Sequence, residues 1–197
     1  MTFVSRRCHT AAVEPVQSAL IVAVPEAEPA VRALRAGYDP SASWGVPAHV
    51  SVLYPFLPPD RIDASVLAAV RAAVRAVPAF DLTLARTAWF GDEVLWLAPE
   101  PDAPFRALTE ALWRRFRQAP PYGGEFADVV PHLTVADRQP AAVLRSAEDR
   151  VRPLLPVFSR VRSVRLIAGR PEPGDSWRTV AEFPLSAGRQ PGRAAPA

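Results

Sequence analysis

The feature that most constrains the fold is an order of predicted elements that occurs twice along the chain. Each copy runs strand, helix, loop, strand, helix, strand, and the second copy ends with one extra strand. In both copies a histidine opens the strand that follows the loop. The copies share almost no sequence identity, so only the order and the place of the histidine repeat. Such a duplication predicts two similar lobes that face one another across a shared cleft.

Hydrophobic periodicity sets the boundaries of these elements. We expect the first helix to stop at Gly37. Residues 17–185 are predicted to form a single bilobal domain, with lobes of about 17–90 and 91–185 between which strands can be exchanged. It follows an irregular leader, 1–16, and precedes a disordered tail, 186–197. The predicted strands are 18–25, 49–56, 80–90, 93–99, 132–137, 158–169 and 176–185, and the helices are 26–37, 61–77, 103–118 and 140–155.

The charge balance limits the kind of partner. The formal net charge is only +3, although all 23 basic residues are arginines. A charge this small argues against non-specific nucleic-acid binding and is compatible with a small or terminal phosphate ligand.

The single cysteine, Cys8, cannot form an internal disulfide, which fits a reducing compartment. The N-terminus has no continuous apolar stretch typical of a signal peptide, and no run approaches the roughly 18 apolar residues of a membrane span. We therefore expect a cytoplasmic protein without a membrane partner.

Two of the three histidines lie in matching triplets, His49-Val50-Ser51 and His132-Leu133-Thr134. Residues i and i+2 of a strand share a face, so each triplet presents an imidazole and a hydroxyl together. The middle residue points to the opposite side, where it anchors the strand. A pseudo-twofold axis would bring the two histidines to opposite sides of one cleft.

Phosphodiester cleavage needs this set of groups. A base takes a proton from the attacking oxygen, an acid protonates the leaving oxygen, and donors hold the other phosphate oxygens. Histidine suits both proton roles near neutral pH. We expect neither a metal nor ATP, because ligand spacing typical of zinc is absent from the sequence and "YGGEF" lacks the ending of a phosphate-binding loop. The prediction therefore includes no cofactor.

The paired triplets, 83 residues apart, resemble the 2H phosphoesterase superfamily of 2'-5' RNA ligase and cyclic phosphodiesterase-like proteins. The resemblance covers roughly residues 17–185 and includes "YPF" after the first triplet and "PPYGGEF" before the second. It implies an α+β, bilobal fold with two pseudo-symmetric lobes, each an antiparallel sheet with packed helices, around a central cleft. It also implies metal-independent opening of a 2',3'-cyclic phosphate on an RNA 3' end or a small nucleotide, with the reverse 2'-5' joining also available. When the roles of the family's motif residues are assigned to the matching positions, His49 is the acid and His132 the base, while Ser51 and Thr134 bind phosphate oxygens.

The chain departs from the family at the end of the second motif strand. Members often carry a basic residue there, but this chain has Asp137, with Arg138 one place later. A shift of one residue turns a strand side chain to the other face, which leaves the role of Arg138 and the substrate open.

Aromatic residues near the triplets are the remaining candidates. Tyr122 and Trp44 precede the two triplets in loops and are candidate base-stacking side chains. Strict alternation places Tyr54 on the same face as Val50, which predicts core or strand-end packing for its side chain. The other tryptophans fit strand or helix core positions: Trp89, Trp96, Trp113 and Trp177. Two alternatives stay open: a binding module for phosphorylated RNA ends that does no catalysis, and a structural protein with buried histidines. We expect a monomer.

Overall fold

The computed structural model describes residues 14–174 and 176–187. Within them the chain forms eight strands in two four-stranded antiparallel sheets, and the predicted α+β class is confirmed. The predicted strand 80–90 is confirmed residue for residue. The strands are β1 (Gln17–Ala23), β2 (His49–Leu53), β3 (Phe80–Phe90), β4 (Val94–Glu100), β5 (Leu133–Asp137), β6 (Val157–Val161), β7 (Ser163–Gly169) and β8 (Arg178–Pro184).

The sheets do not follow the halves of the sequence. The first has the order β2-β1-β7-β8 and the second β5-β4-β3-β6. Strand β3 therefore belongs to the second lobe, and β7 and β8 belong to the first. The lobe boundary expected near residue 90 is replaced by an exchange of strands, which the prediction had allowed.

The predicted strand 158–169 is wrong as one element. It breaks at Arg162 into β6, which pairs with β3, and β7, which pairs with β1. Val161 and Val164 are both buried in the main core, and the residue at the crossing, Arg162, is exposed. No proline or glycine marks this crossing, and the hydrophobic pattern therefore contained no sign of it.

Five α-helices pack against these sheets: α1 (Glu28–Tyr38), α2 (Pro40–Ser43), α3 (Ala64–Val74), α4 (Ala103–Arg115) and α5 (Ala141–Val151). The shared core includes Val50 and Leu133, the anchors of the two triplets. The predicted stop at Gly37 is wrong. Helix α1 continues to Tyr38 and ends because Asp39 precedes Pro40, whose ring disfavours a helical conformation at the residue before it.

The ends of the predicted domain are held by backbone contacts. The Val16 amide donates to the Gly169 carbonyl, and Ser186 pairs with Pro78, which extends the ordered contacts into the first residue of the predicted tail. Cys8 and His9 lie outside the described residues. In the described part of the chain, no helix is both long and apolar enough to cross a membrane.

Candidate active site

The two triplet histidines have the same local geometry. His49 opens β2, and His132 comes immediately before β5. Each ring nitrogen Nδ1 lies 2.8 Å from the carbonyl oxygen two residues earlier, that of Pro47 for His49 and that of Val130 for His132. A carbonyl can only accept, so each Nδ1 carries a proton and donates it. The other nitrogen, Nε2, is then the one available for proton transfer in both residues.

An arginine from the first helix of each lobe supports these segments. Arg35 of α1 donates to the Val46 carbonyl at 3.2 Å, and Arg106 of α4 donates to the Val129 carbonyl, also at 3.2 Å. Each carbonyl lies three residues before its histidine. The arginines therefore fix the chain next to the carbonyls that orient Nδ1, a role that no sequence pattern indicated.

A β-bulge follows the hydroxyl residue of each triplet. Ile21 faces Ser51 but Leu20 faces Leu53, so the intervening Val52 is the extra residue of the first bulge. The second lobe repeats this arrangement, with Trp96 opposite Thr134, Leu95 opposite Ala136, and Val135 as the extra residue. The bulge is therefore part of the internal duplication and changes which face the following side chains take.

The bulges change the side on which the residues after each triplet lie. We define the cleft face as the sheet surface that carries the two histidines with Ser51 and Thr134. Tyr54 lies on this face just after the end of β2, where it packs with Ile21 and its hydroxyl donates to Gln17 Oε1 at 3.0 Å. The core side expected from strict alternation is wrong, and the expected packing at the strand end is confirmed. Asp137 occupies the matching place in the second lobe, opposite Val94.

Arg138 does not take the place of the basic residue that the family often carries. It lies just past β5, with a φ of 51°, and its side chain is exposed. Its amide donates to the Glu93 carbonyl at 2.8 Å, which extends the pairing of β4 and β5 by one residue. The chain therefore puts a carboxylate, not an arginine, at the end of the second motif strand.

The two motif strands meet where the sheets come together. Strand β2 contacts β5, and each is the edge strand of its sheet. The two histidines are close enough for His132 to affect the proton affinity of His49. The pKa of His49 is lowered from 6.5 to about 4, mainly by burial and also by Arg35 and His132, while the Pro47 carbonyl and Asp39 act in the opposite direction. His49 is therefore neutral at pH 7.

His132 has different surroundings. Burial lowers its pKa, while the Val130 carbonyl and the Asp137 carboxylate act in the opposite direction. Its ring has an edge-to-face contact with Phe90 at 4.9 Å between centroids, and Trp96 lies 6.0 Å away. An arginine thus opposes a proton on His49, and a carboxylate favours one on His132.

Tyr122 joins the two triplets. Its ring lies nearly parallel to that of His132, at 6.4 Å between centroids, and its hydroxyl faces Ser51. Burial raises the pKa of Tyr122, so the hydroxyl stays protonated and able to donate. Its backbone is held by a bond from its amide to the Tyr54 carbonyl at 2.6 Å and has a left-handed φ of 49°. Such backbone strain is often found at functional sites.

Trp96 is buried, as predicted. Trp44 is half-buried and packs with Val46 and Trp177 in a satellite cluster on the cleft face, so its role in stacking stays a prediction. Trp96 lies on the cleft face opposite Thr134, and its buried indole nitrogen has no hydrogen-bond partner among the described residues. Trp113, predicted to be in the core, is 38% exposed beneath Arg117.

Among the described residues, no group of three or more His, Cys, Asp or Glu side chains is placed to hold a metal ion. Whether the protein needs a metal stays a prediction. A cavity of about 500 Å³ lies between α1 and the loop before β2, lined by Glu28, Arg35 and Pro47 among others, and it does not include the triplets.

The comparisons with known proteins agree with this geometry. The family model of the 2'-5' RNA ligase superfamily matches residues 23–171. The chain belongs to this superfamily. The family supports a phosphoesterase or RNA ligase-like enzyme, and the resemblance found from the triplets is confirmed. No curated protein matches the chain.

Solved structures show the same fold. Escherichia coli LigT complexed with 3'-AMP matches with a TM-score of 0.58 at 18% identity, covering 87% of this chain and 99% of LigT. LigT complexed with NADP+ gives 0.54 at 20%, covering 88% and 99%. The protein TT0787 of Thermus thermophilus gives 0.59 at 19%, covering 87% and 98%. The bilobal fold is therefore confirmed.

Proposed function

We propose that the protein is a metal-independent phosphoesterase that opens 2',3'-cyclic phosphates on RNA 3' ends or small nucleotides. One observation carries the proposal: each lobe has a histidine whose Nδ1 is fixed by a carbonyl, beside a hydroxyl on the same face. Two such half-sites supply a base, an acid and two donors, the set that phosphodiester hydrolysis needs.

In the proposed step, one Nε2 takes a proton from water while the water oxygen bonds to phosphorus. The bond from phosphorus to the 3' oxygen breaks, and the other Nε2–H protonates that oxygen. The product is a 2'-phosphomonoester with a free 3' hydroxyl. Ser51 and Thr134 hold the non-bridging oxygens as negative charge develops. With a 5' hydroxyl in place of water, the same step would form a 2'-5' linkage without ATP.

The charges around the histidines favour one assignment of roles. His49, next to the Arg35 guanidinium and with a pKa of about 4, is suited to be the base. His132, beside the Asp137 carboxylate, is better suited to hold the proton that the acid donates. This is opposite to the assignment that the family resemblance implies.

The main test is hydrolysis of a 2',3'-cyclic nucleotide in the presence of EDTA, followed by analysis of the product. His49→Ala and His132→Ala should each lower kcat by at least about a hundredfold, because general acid and base catalysis each contribute roughly 10²–10⁴-fold. Circular dichroism checks that both variants fold. Near-normal turnover in both would refute the mechanism. Tight binding without product over hours would favour the binding module instead.

A substrate with a good leaving group separates the two roles. A nucleoside 2'-(p-nitrophenyl phosphate) keeps the bond to the 2' oxygen and puts p-nitrophenolate in place of the leaving 3' oxygen. It needs little help from an acid, since p-nitrophenolate leaves unprotonated. With His132 as the acid, His132→Ala should keep most of its activity on this substrate while His49→Ala loses it. The opposite pattern would restore the assignment with His49 as the acid.

The structural-protein alternative predicts histidines that face away from each other. It is disfavoured because neither histidine is fully shielded from solvent and the strands β2 and β5, which carry the triplets, are in contact. The monomeric state and the identity of the RNA or nucleotide substrate remain proposals.

A further inference from the structure

The cleft face beyond the triplets differs between the two lobes. In the first sheet, Ser51, Ile21 and Arg165 lie opposite one another on β2, β1 and β7. Directly paired residues on neighbouring strands point to the same face. Arg165 therefore lies on the cleft face, in the same row as the proposed phosphate donor Ser51. At about 4.8 Å between neighbouring strands, their Cα atoms are about 10 Å apart.

Arg165 is weakly engaged in this position. Its side chain is 37% exposed, and its Nε lies 3.7 Å from Glu182 Oε1, longer than a hydrogen bond. The Glu182 carboxylate also accepts a bond from the Ser163 hydroxyl, so it keeps a partner when Arg165 moves. An exposed ion pair of this kind contributes little stability, and a phosphate could replace it at small cost.

The corresponding row of the second sheet has no cation. It runs from Thr134 through Trp96 to Ala88, on β5, β4 and β3. The motif strand there ends on Asp137, whose pKa is raised mainly by burial and also by the Asp39 and Glu93 carboxylates, with Arg138 acting against them. Carboxylates at this end of the cleft repel a second phosphate.

We propose that Arg165 binds the phosphate upstream of the scissile one, so that the substrate is the 3' end of an RNA strand that leaves the site across the first lobe. The inference rests on the proposed function. Upstream phosphates then meet the guanidinium of the first lobe, and the terminal nucleoside meets the apolar, aromatic row of the second. A free cyclic mononucleotide would be a poorer substrate, since it leaves Arg165 unused.

The test compares kcat/KM for a 2',3'-cyclic mononucleotide and for a trinucleotide that ends in the same cyclic phosphate. The native protein should prefer the trinucleotide. Arg165→Ala should reduce this preference about tenfold, as expected for the loss of a partly exposed charged hydrogen bond, and leave the mononucleotide value unchanged. The salt dependence for the trinucleotide should also become shallower, by about 0.7 in the log–log slope.

Two further variants serve as controls. Arg71→Ala removes the same charge from an exposed position on α3 and should change neither substrate. Glu182→Gln removes the competing carboxylate and should keep or raise the trinucleotide preference. Equal loss on both substrates in Arg165→Ala, or no loss on either, would overturn the proposal.

The mononucleotide reports on the proposed function alone. If neither substrate reacts, that function fails, and fluorescence anisotropy with a trinucleotide ending in a 2'-phosphate then tests Arg165 directly. Weaker binding by Arg165→Ala, and unchanged binding by Arg71→Ala, would support the phosphate contact. Equal affinities for all three proteins would refute it.

Discussion

Replacing His49 by glutamine removes a group that makes folding depend on pH. The pKa of His49 is about 4 in the folded chain, against about 6.5 when it is unfolded. Between these values the unfolded chain binds a proton that the folded chain does not. Stability from this residue is therefore complete above about pH 6.5 and is lost as the pH falls toward 4.

The size of the effect follows from the two pKa values. The full difference corresponds to about 3.4 kcal/mol. Only part of it is expressed between pH 7 and pH 5, where linkage gives about 2 kcal/mol. Between pH 7 and pH 5, the free energy of unfolding of the native protein should therefore fall by about 2 kcal/mol more than the free energy of unfolding of His49→Gln.

Urea unfolding at pH 5, 6 and 7 measures the difference. Ser51→Ala, which changes the neighbouring motif residue but no titrating group, should show the same pH dependence as the native protein. If His49→Gln instead gives a curve parallel to the native one, His49 is not held neutral by burial and Arg35. The argument that His49 is the base would then fail with it.

Three further predictions concern the surroundings of the triplets. Tyr122→Phe keeps the ring beside His132 but removes the hydroxyl that faces Ser51, so it should lower kcat severalfold if the hydroxyl helps to hold phosphate. If Tyr122→Phe has the kinetics of the native protein and only Tyr122→Ala loses activity, the residue acts by stacking alone. Leu133→Ala empties a fully buried anchor position and should cost about 2–5 kcal/mol in urea unfolding; a loss below about 1 kcal/mol would contradict this packing. Arg106→Gln removes the bond to the Val129 carbonyl and should lower kcat more than it changes KM, with a shift in the acid limb of the pH–rate profile. Arg106→Lys should restore part of the rate. An unchanged pH–rate profile would rule out a positioning role for Arg106.

The motif positions were predictable because strand geometry is local. A period of two requires His49 and Ser51 to share a face, whatever the rest of the chain does, and it sends Val50 into the core. The same holds for the second triplet. Together with the repeated order of elements, this was enough to predict the α+β bilobal class and the superfamily, and both are confirmed. The catalytic roles stay predictions.

Long-range pairing decided the features that alternation missed. The bulge residues Val52 and Val135 are apolar like their neighbours, so only the pairing with β1 and β4 reveals them. They turn Tyr54 and Asp137 onto the cleft face. A local pattern cannot show an extra residue that exists only relative to a partner strand.

By itself, the sequence determined the two half-sites, because each depends on three consecutive residues and the alternation of a strand. Only the tertiary structure decided how the half-sites differ. It brought Arg35 toward His49 and Asp137 toward His132, and it carried Arg165 from a distant part of the chain into the row of Ser51. The place of Arg165 depends on the strand exchange, because β7 joins the first sheet from the second half of the chain. A local pattern cannot show such a pairing between distant segments.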